Sequence, residues 1–225
     1  MTEQSPAFRL GHVPGSTPDK WARKWGERRP HVPLELSVAE TDEIVAAVRA
    51  GELDAGLVRL PIDRSGLHAI PLYTETSVVV VPKDHVITAA EEVAPDDLAD
   101  EIVLRPQDDV LDWTDGHPGR AAVSDPATTA DAVELVAAGI GVLVLPLSLA
   151  RLHHRRDLTH RPVVDVPQSA VVLTWPDAEN SDDMEEFIGV VRGRTVNSSR
   201  TPRREEPAAP RPDRRRPAKR SPRRR

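Results

Sequence analysis

No cysteine occurs in the 225 residues, which removes disulfides, thiol nucleophiles, Cys-ligated zinc and iron–sulfur clusters together. A metal site would have to use His and carboxylate ligands, and no HExxH or comparable spacing is present. GxSxG and phosphate-cradling P-loop motifs are also missing. These absences predict a chain without a metal or cofactor and without enzymatic activity. The longest apolar runs, Ser77 to Pro82 and Val142 to Leu149, fall short of the roughly 18 residues that a membrane span needs. Met1 to Phe8 has neither a basic start nor an apolar h-region, so the expected compartment is cytoplasmic and no membrane partner is expected.

The formal net charge of −6 conceals two unlike parts. Residues 198–225 hold 12 Arg and Lys against 3 acids, a formal +9, and residues 1–197 hold 18 against 33, a formal −15. The C-terminal stretch has six prolines, no aromatic and no large apolar residue. Such a composition cannot bury enough surface to offset the entropy of ordering, so a disordered Arg/Pro-rich tail is expected over 198–225. Its clustered arginines would suit non-specific contact with nucleic acid or another anionic partner. The simpler reading is a solvated terminus that folds back loosely on the acidic body, and with no aromatics for base stacking and no folded scaffold, specific nucleic-acid recognition is not expected.

The remainder alternates strand and helix patterns, which predicts an α/β class. Phe8 to Val13 reads as a strand. Thr17 reads as the N-cap of a helix with Pro18 at its first position and Trp21 and Trp25 on its buried stripe. Val32 to Val38 reads as a strand in which Leu34 and Leu36 alternate with polar neighbours. A helix over Thr41 to Ala50 faces Ile44, Val45 and Val48 inward and stops at Gly51. Strands are expected at Ala55 to Val58, Ser77 to Val81, Glu101 to Leu104, Val142 to Leu145 and Ala170 to Trp175. Thr128 caps a helix together with Asp131, with Val133, Val136, Ala137 and Ile140 on its apolar face. Pro146 opens a helix reaching about His153, and Met184, Phe187, Ile188 and Val191 stripe a last one.

Three segments, GELDAGLVRLP (Gly51 to Pro61), SVVVVPKDH (Ser77 to His85) and TTADAVELVAAGIGVLVLP (Thr128 to Pro146), resemble in that order the effector-binding domain of LysR-type transcriptional regulators. The resemblance runs from about Ala7 to Val191. It implies a two-lobed type 2 periplasmic-binding-protein-like fold, lobe I about 7–80 and 168–195 and lobe II about 82–165, with a small-molecule cleft between them. Only seven residues precede Phe8, so the family's winged helix-turn-helix has no place before it, and a stand-alone effector-binding domain is expected. The family's second-lobe helix between Pro106 and Asp125 is replaced by QDDVLDWTDGHPGRAAVS. With Pro118 and two glycines it can form a turn at most, which implies a reduced second lobe and leaves a homodimer open.

Ligands of two-lobed α/β folds sit beyond the carboxyl ends of strands, near helix N-termini. That places Gly15, Ser16 and Thr17 as candidates after the first strand, and Thr128 and Thr129 in the matching place of the second lobe. Both of these hydroxyl-led helix starts are equally explained by capping. Thr41 leads the second helix, where a cap suffices, and the resemblance puts it near the cleft. Gln107 is a candidate for the far wall. Arg59 follows a buried strand, where a charge needs a partner. Its guanidinium would hold a ligand carboxylate bidentately or pair internally with Asp54 or Asp63. His12 reads as a strand-end histidine beside the Gly15 loop. His153, His154, Arg155 and Arg156 read as cations complementing a helix C-terminus. The acidic pairs Glu91–Glu92, Asp96–Asp97 and Asp108–Asp109 read as solvated faces.

The combined expectation is a cytoplasmic domain that binds a small, anionic effector and acts in transcription through a protein partner. The competing readings are an interaction protein working through its basic tail, and an enzyme on the same fold. The Thr-Arg-Asp motif of prephenate dehydratases and the cofactor-anchoring cysteine of hydroxymethylbilane synthase, which share this fold, are both absent.

Overall fold

Alternating apolar residues build the centre of a five-stranded sheet from β1 (Phe8–His12), β2 (Leu34–Val38), β3 (Ala55–Arg59), β4 (Leu67–Glu75) and β10 (Ser169–Pro176). The order is β2-β1-β3-β10-β4, with β1 parallel to both β2 and β3 and β10 antiparallel to β3 and β4. The computed structural model describes residues 7–114, 116–178 and 180–193, so the expectation for 198–225 falls outside the described residues.

Both faces of this sheet are covered, which is why every residue of β3 is buried. On one face α1 (Asp19–Arg28) and α5 (Asp182–Val191) bring Trp21, Trp25, Met184, Phe187 and Ile188 against Phe8, Leu10, Leu57 and Leu173. Arg28–Glu186 at 2.8 Å and Arg29–Asp183 tie the two helices together. On the other face α2 (Thr41–Arg49) packs Ile44, Val45 and Val48 on Val13, Val58 and Val172. Glu40 and Glu43 form its capping box, so Thr41 is the first helical residue rather than the cap.

The chain leaves this sheet after Glu75 and enters a second one at Ser77, so the crossing lies at Thr76 instead of near residue 80. The second sheet has the order β8-β5-β9, all antiparallel, from β5 (Ser77–Pro82), β8 (Leu143–Pro146) and β9 (Leu158–Pro162). Val78 and Val80 face α3 (Thr129–Ala137) and α4 (Leu147–Leu152), while Val79 and Val81 face a core completed by Ile87, Leu98, Val103, Leu111 and Val163. Two 3-10 turns, Val86–Ala89 and Pro95–Leu98, and the two-residue strands β6 (Ile102–Val103) and β7 (Arg120–Ala121) complete this part. Between β6 and α3 the described residues hold no helix.

Three local expectations change. Leu36 is 41% exposed because β2 is an edge strand with no cover on that side. Ile140 lies beyond the end of α3 and is also exposed. The N-cap of α1 is Pro18, and no side chain caps the helix, because the helix begins one residue later than the Thr17 pattern suggests.

Candidate functional site

The loop after β1 folds back on itself. The Ser16 hydroxyl donates to the Val13 carbonyl at 2.7 Å, the Ser16 amide donates to the same oxygen, and His12 Nδ1 lies 3.1 Å from the hydroxyl. Gly15 takes φ +80°, a left-handed backbone that glycine adopts without strain. It also lies close to α4: a Cβ added there would sit 3.0 Å from Ser148 Oγ and 3.1 Å from the Ser148 carbonyl carbon. This loop of the first sheet therefore rests directly on the helix that follows β8 of the second sheet.

Arg59 reinforces that junction. Its Nε donates to Glu75 Oε2 at 2.9 Å, and its terminal nitrogen donates to the Pro14 carbonyl at 2.9 Å and to Ser148 Oγ at 3.1 Å. The two charged side chains are 4% and 5% exposed. Neither Asp54 nor Asp63 is the partner: Asp54 pairs with Arg9 at 3.0 Å and Asp63 with Arg49 at 2.9 Å. The Thr41 hydroxyl accepts the Arg59 amide at 3.4 Å, behind the same junction.

Beside it opens a cleft of about 920 Å³ lined from three sides. The loop after β1 and the start of α1 contribute Gly15, Ser16, Thr17 and Lys20; the end of β4 and the crossing contribute Tyr73 to Thr76; α4 contributes Ser148 and Arg151. Trp21, Leu147 and Leu152 add apolar wall. Lys20 Nζ lies 4.7 Å from the Trp21 ring centroid, a cation–π contact that leaves its charge unneutralised. The Arg151 side chain is exposed and makes no hydrogen bond or ion pair among the described residues. Of the two acids on the wall, Glu75 is neutralised by Arg59 and Asp19 stands in the first turn of α1, where the positive end of the helix balances it. Burial, then the Glu75 carboxylate, raise the Tyr73 phenol above its ordinary range, so it stays a neutral hydroxyl at pH 7.

The remaining candidates go elsewhere. Thr128 is a cap: its hydroxyl accepts from the Asp131 amide at 3.1 Å and donates to the Asp131 carboxylate at 2.9 Å. Thr129 is buried and donates to Asp108 at 2.9 Å. Gln107 lines a different cavity of about 420 Å³ with Arg105, Asp109, Trp113 and His117. The helix-free stretch after Arg105 folds onto the start of α3, through Gln107 N to Pro126 O and through Asp108, and so takes these three residues away from the cleft. Tyr73, Thr76, Lys20 and Arg151 were not among the candidates. Strand-end position and an apolar neighbour, Trp21 beside Lys20 and Leu152 beside Arg151, were the available signals.

Residues 5–195, which hold both sheets and the cleft between the β1 loop and α4, match the family model for the LysR substrate binding domain. The chain belongs to this family. Among relatives of this LysR domain, a probable hydrogen peroxide-inducible genes activator of Mycobacterium avium is 28% identical over 182 residues, covering 76% of the chain and 58% of that protein. The Hca operon transcriptional activator HcaR of Escherichia coli K12 is 26% identical, with 76% and 60% covered. The chain thus spans less than two thirds of the length of these relatives. The effector binding domain of BenM with its effector benzoate has a similar fold, with a TM-score of 0.72 at 21% identity over 84% of this chain and 91% of that one. So does the oxidized form of OxyR, at 0.69 and 22% over 86% and 97%. At these identities the likeness is one of fold, here the two-lobed type 2 periplasmic-binding-protein-like fold.

Proposed function

We propose that this LysR domain is the sensing part of a transcription regulator and takes a small organic anion in the cleft between the β1 loop and α4. The carrying observation is the charge on the cleft wall: Lys20 and Arg151 reach it from opposite sides without carboxylate partners, while Glu75 is already neutralised by Arg59. Hydroxyls of Thr17, Tyr73, Thr74 and Thr76 would orient the ligand's polar end, and Trp21, Leu147 and Leu152 would hold an apolar body. Arg59 acts from behind as a strut, holding Pro14, Glu75 and Ser148 in place.

The mechanism is a population shift. A ligand that touches both the β1 loop and α4 favours the arrangement in which those elements stand close, and it shifts the equilibrium by its differential affinity for that arrangement. One relative is named for hydrogen peroxide induction, and one similar structure holds benzoate as its effector; only the second kind of signal suits this chain. Without cysteine, no thiol oxidation can carry the signal within these 225 residues. A protein partner would read the closed state. The +9 of residues 198–225 supports an added electrostatic contact with an anionic partner.

The test is a thermal-shift screen of the full chain with small carboxylates, benzoate included, each beside its neutral amide. Stabilisation by an acid and not by its amide, lost in Arg151→Gln, supports the reading. Equal response to acid and amide contradicts it.

A further inference from the structure

The alternation of β1 carries one polar side chain to the rim of the core. Phe8 and Leu10 point into the apolar layer under α1 and α5, Gly11 turns the other way against Ile44 of α2, and His12 ends the strand on the face of Phe8 and Leu10. There the core gives way to the cleft, whose wall includes His12, its register partner Val38 and Trp21.

The contacts of the His12 ring fix which nitrogen holds its proton. Nδ1 faces two oxygens, Ser16 Oγ at 3.1 Å and the Val13 carbonyl at 3.4 Å. The carbonyl can only accept, and the single proton of the Ser16 hydroxyl already goes to it at 2.7 Å. Neither oxygen has a proton to offer, so the neutral imidazole carries its hydrogen on Nδ1 and keeps a bare lone pair on Nε2. Nε2 has no partner among the described residues and is open to solvent.

The same two contacts hold the ring, which makes Nε2 a fixed acceptor on a wall whose free cations, Lys20 and Arg151, are donors. A ligand that fills the cleft takes water from that lone pair, and only a donor on the ligand restores the bond. An ammonium group would add a positive charge where Lys20, Arg151 and the buried Arg59 already outnumber Asp19 and Glu75. A hydroxyl donates without adding charge.

We propose that His12 Nε2 sets the specificity of the cleft by accepting a hydrogen bond from a hydroxyl of the bound anion, so that the ligand is a hydroxylated organic acid. This rests on the anion-binding reading above and adds a second functional group to it. Trp21 and Val38, beside the ring, flank the apolar body that carries the hydroxyl.

The test is calorimetric titration of the full chain and of His12→Phe with benzoate, with meta- and para-hydroxybenzoate, whose hydroxyls cannot reach their own carboxylate, and with the matching methoxybenzoates, which accept but do not donate. In the parent chain, one hydroxybenzoate is expected to bind about 10-fold more tightly than benzoate and than its methoxy counterpart, and in His12→Phe that ratio falls to about 1. Melting temperatures serve as the folding control. Two-bond proton–nitrogen NMR of the parent reads the tautomer without any substitution: the His12 proton is expected on Nδ1, and Nε2 is expected to shift on addition of the hydroxybenzoate and not of the methoxybenzoate. A proton on Nε2, equal affinity for hydroxy and methoxy acids, or an undiminished hydroxyl preference in folded His12→Phe overturns the proposal while leaving the anion reading in place. Equal binding of benzoate and benzamide, or no response to any of these acids, overturns both.

Discussion

Arg59 Nε lies 2.9 Å from Glu75 Oε2, with both side chains almost wholly shielded from solvent. The pair joins β3 to the end of β4, and the same guanidinium reaches Pro14 and Ser148, so one buried cation touches the loop, the crossing and α4 together. A charge so placed makes the cleft's geometry depend on an interaction that no ligand has to supply.

Breaking the pair from one side leaves an uncompensated buried charge, a loss of roughly 3–5 kcal/mol. Glu75→Gln is therefore expected to lower urea stability by about that much, and Arg59→Met/Glu75→Leu by clearly less than the sum of the single changes. A Glu75→Gln chain within about 0.5 kcal/mol of the parent would show the pair to be solvent-screened.

Gly15 and Gly51 both have positive φ, +80° and +73°, yet only Gly15 meets a neighbour. Gly51→Ala should cost about 1 kcal/mol for its backbone alone. Gly15→Ala should cost roughly 1–3 kcal/mol more, since the new methyl group would push on the backbone of Ser148. Denaturant melts of the two variants measure the difference, and equal losses would mean that α4 yields freely.

Thr128→Ala removes a formed cap and should lose about 1 kcal/mol of stability while leaving affinity for a cleft ligand unchanged. Thr17→Ala should do the reverse, because its hydroxyl caps nothing and lines the cleft. Paired thermal melts and ligand titrations check both. A loss of ligand binding in Thr128→Ala would return the second-lobe helix start to the site.

His117 and His160 are both held below the ordinary histidine value of 6.5, first by burial, with Arg105 adding to it at His117 and Arg151 at His160. The unfolded chain therefore takes up these protons before the folded one does. Stability is full above about pH 6.5 and is lost as the pH falls through the folded values. The melting temperature should drop between pH 7.5 and 5, and the drop should shrink in His160→Gln. Asp63 and Asp157, held below 3.8 by their hydrogen bonds to Ser65 and Arg155, act only in more acid solution. A flat profile from pH 7.5 to 5 would contradict the assignment.

The sequence made the buried helices and central strands legible because their apolar periodicity is strong: Ile44, Val45 and Val48 in α2, Val78 to Val81 in β5. It hid β4 and β9, both sheet edges. Pro71 interrupts β4, which an edge tolerates, and β9 alternates Leu158 with polar residues. At the site, the β1 loop was visible from its Gly-Ser-Thr-Pro run. The partner of Arg59 was not, since Glu75 meets it only through β10, which stands between β3 and β4. Thr128 and Thr129 looked like ligand groups because helix starts resemble one another in sequence. Whether such a start faces a cleft or a loop depends on the 107–124 stretch, whose path no periodicity encodes.

Calorimetric titration of benzoate and benzamide into the full chain, and into Lys20→Gln/Arg151→Gln, tests the central claim most directly. If the screen identifies a stronger acid, that acid and its amide take their place. The account predicts saturable heat for the acid alone, abolished in the double variant with the melting temperature of the free chain unchanged. Binding of acid and amide with equal affinity, or full affinity in the double variant, would contradict it.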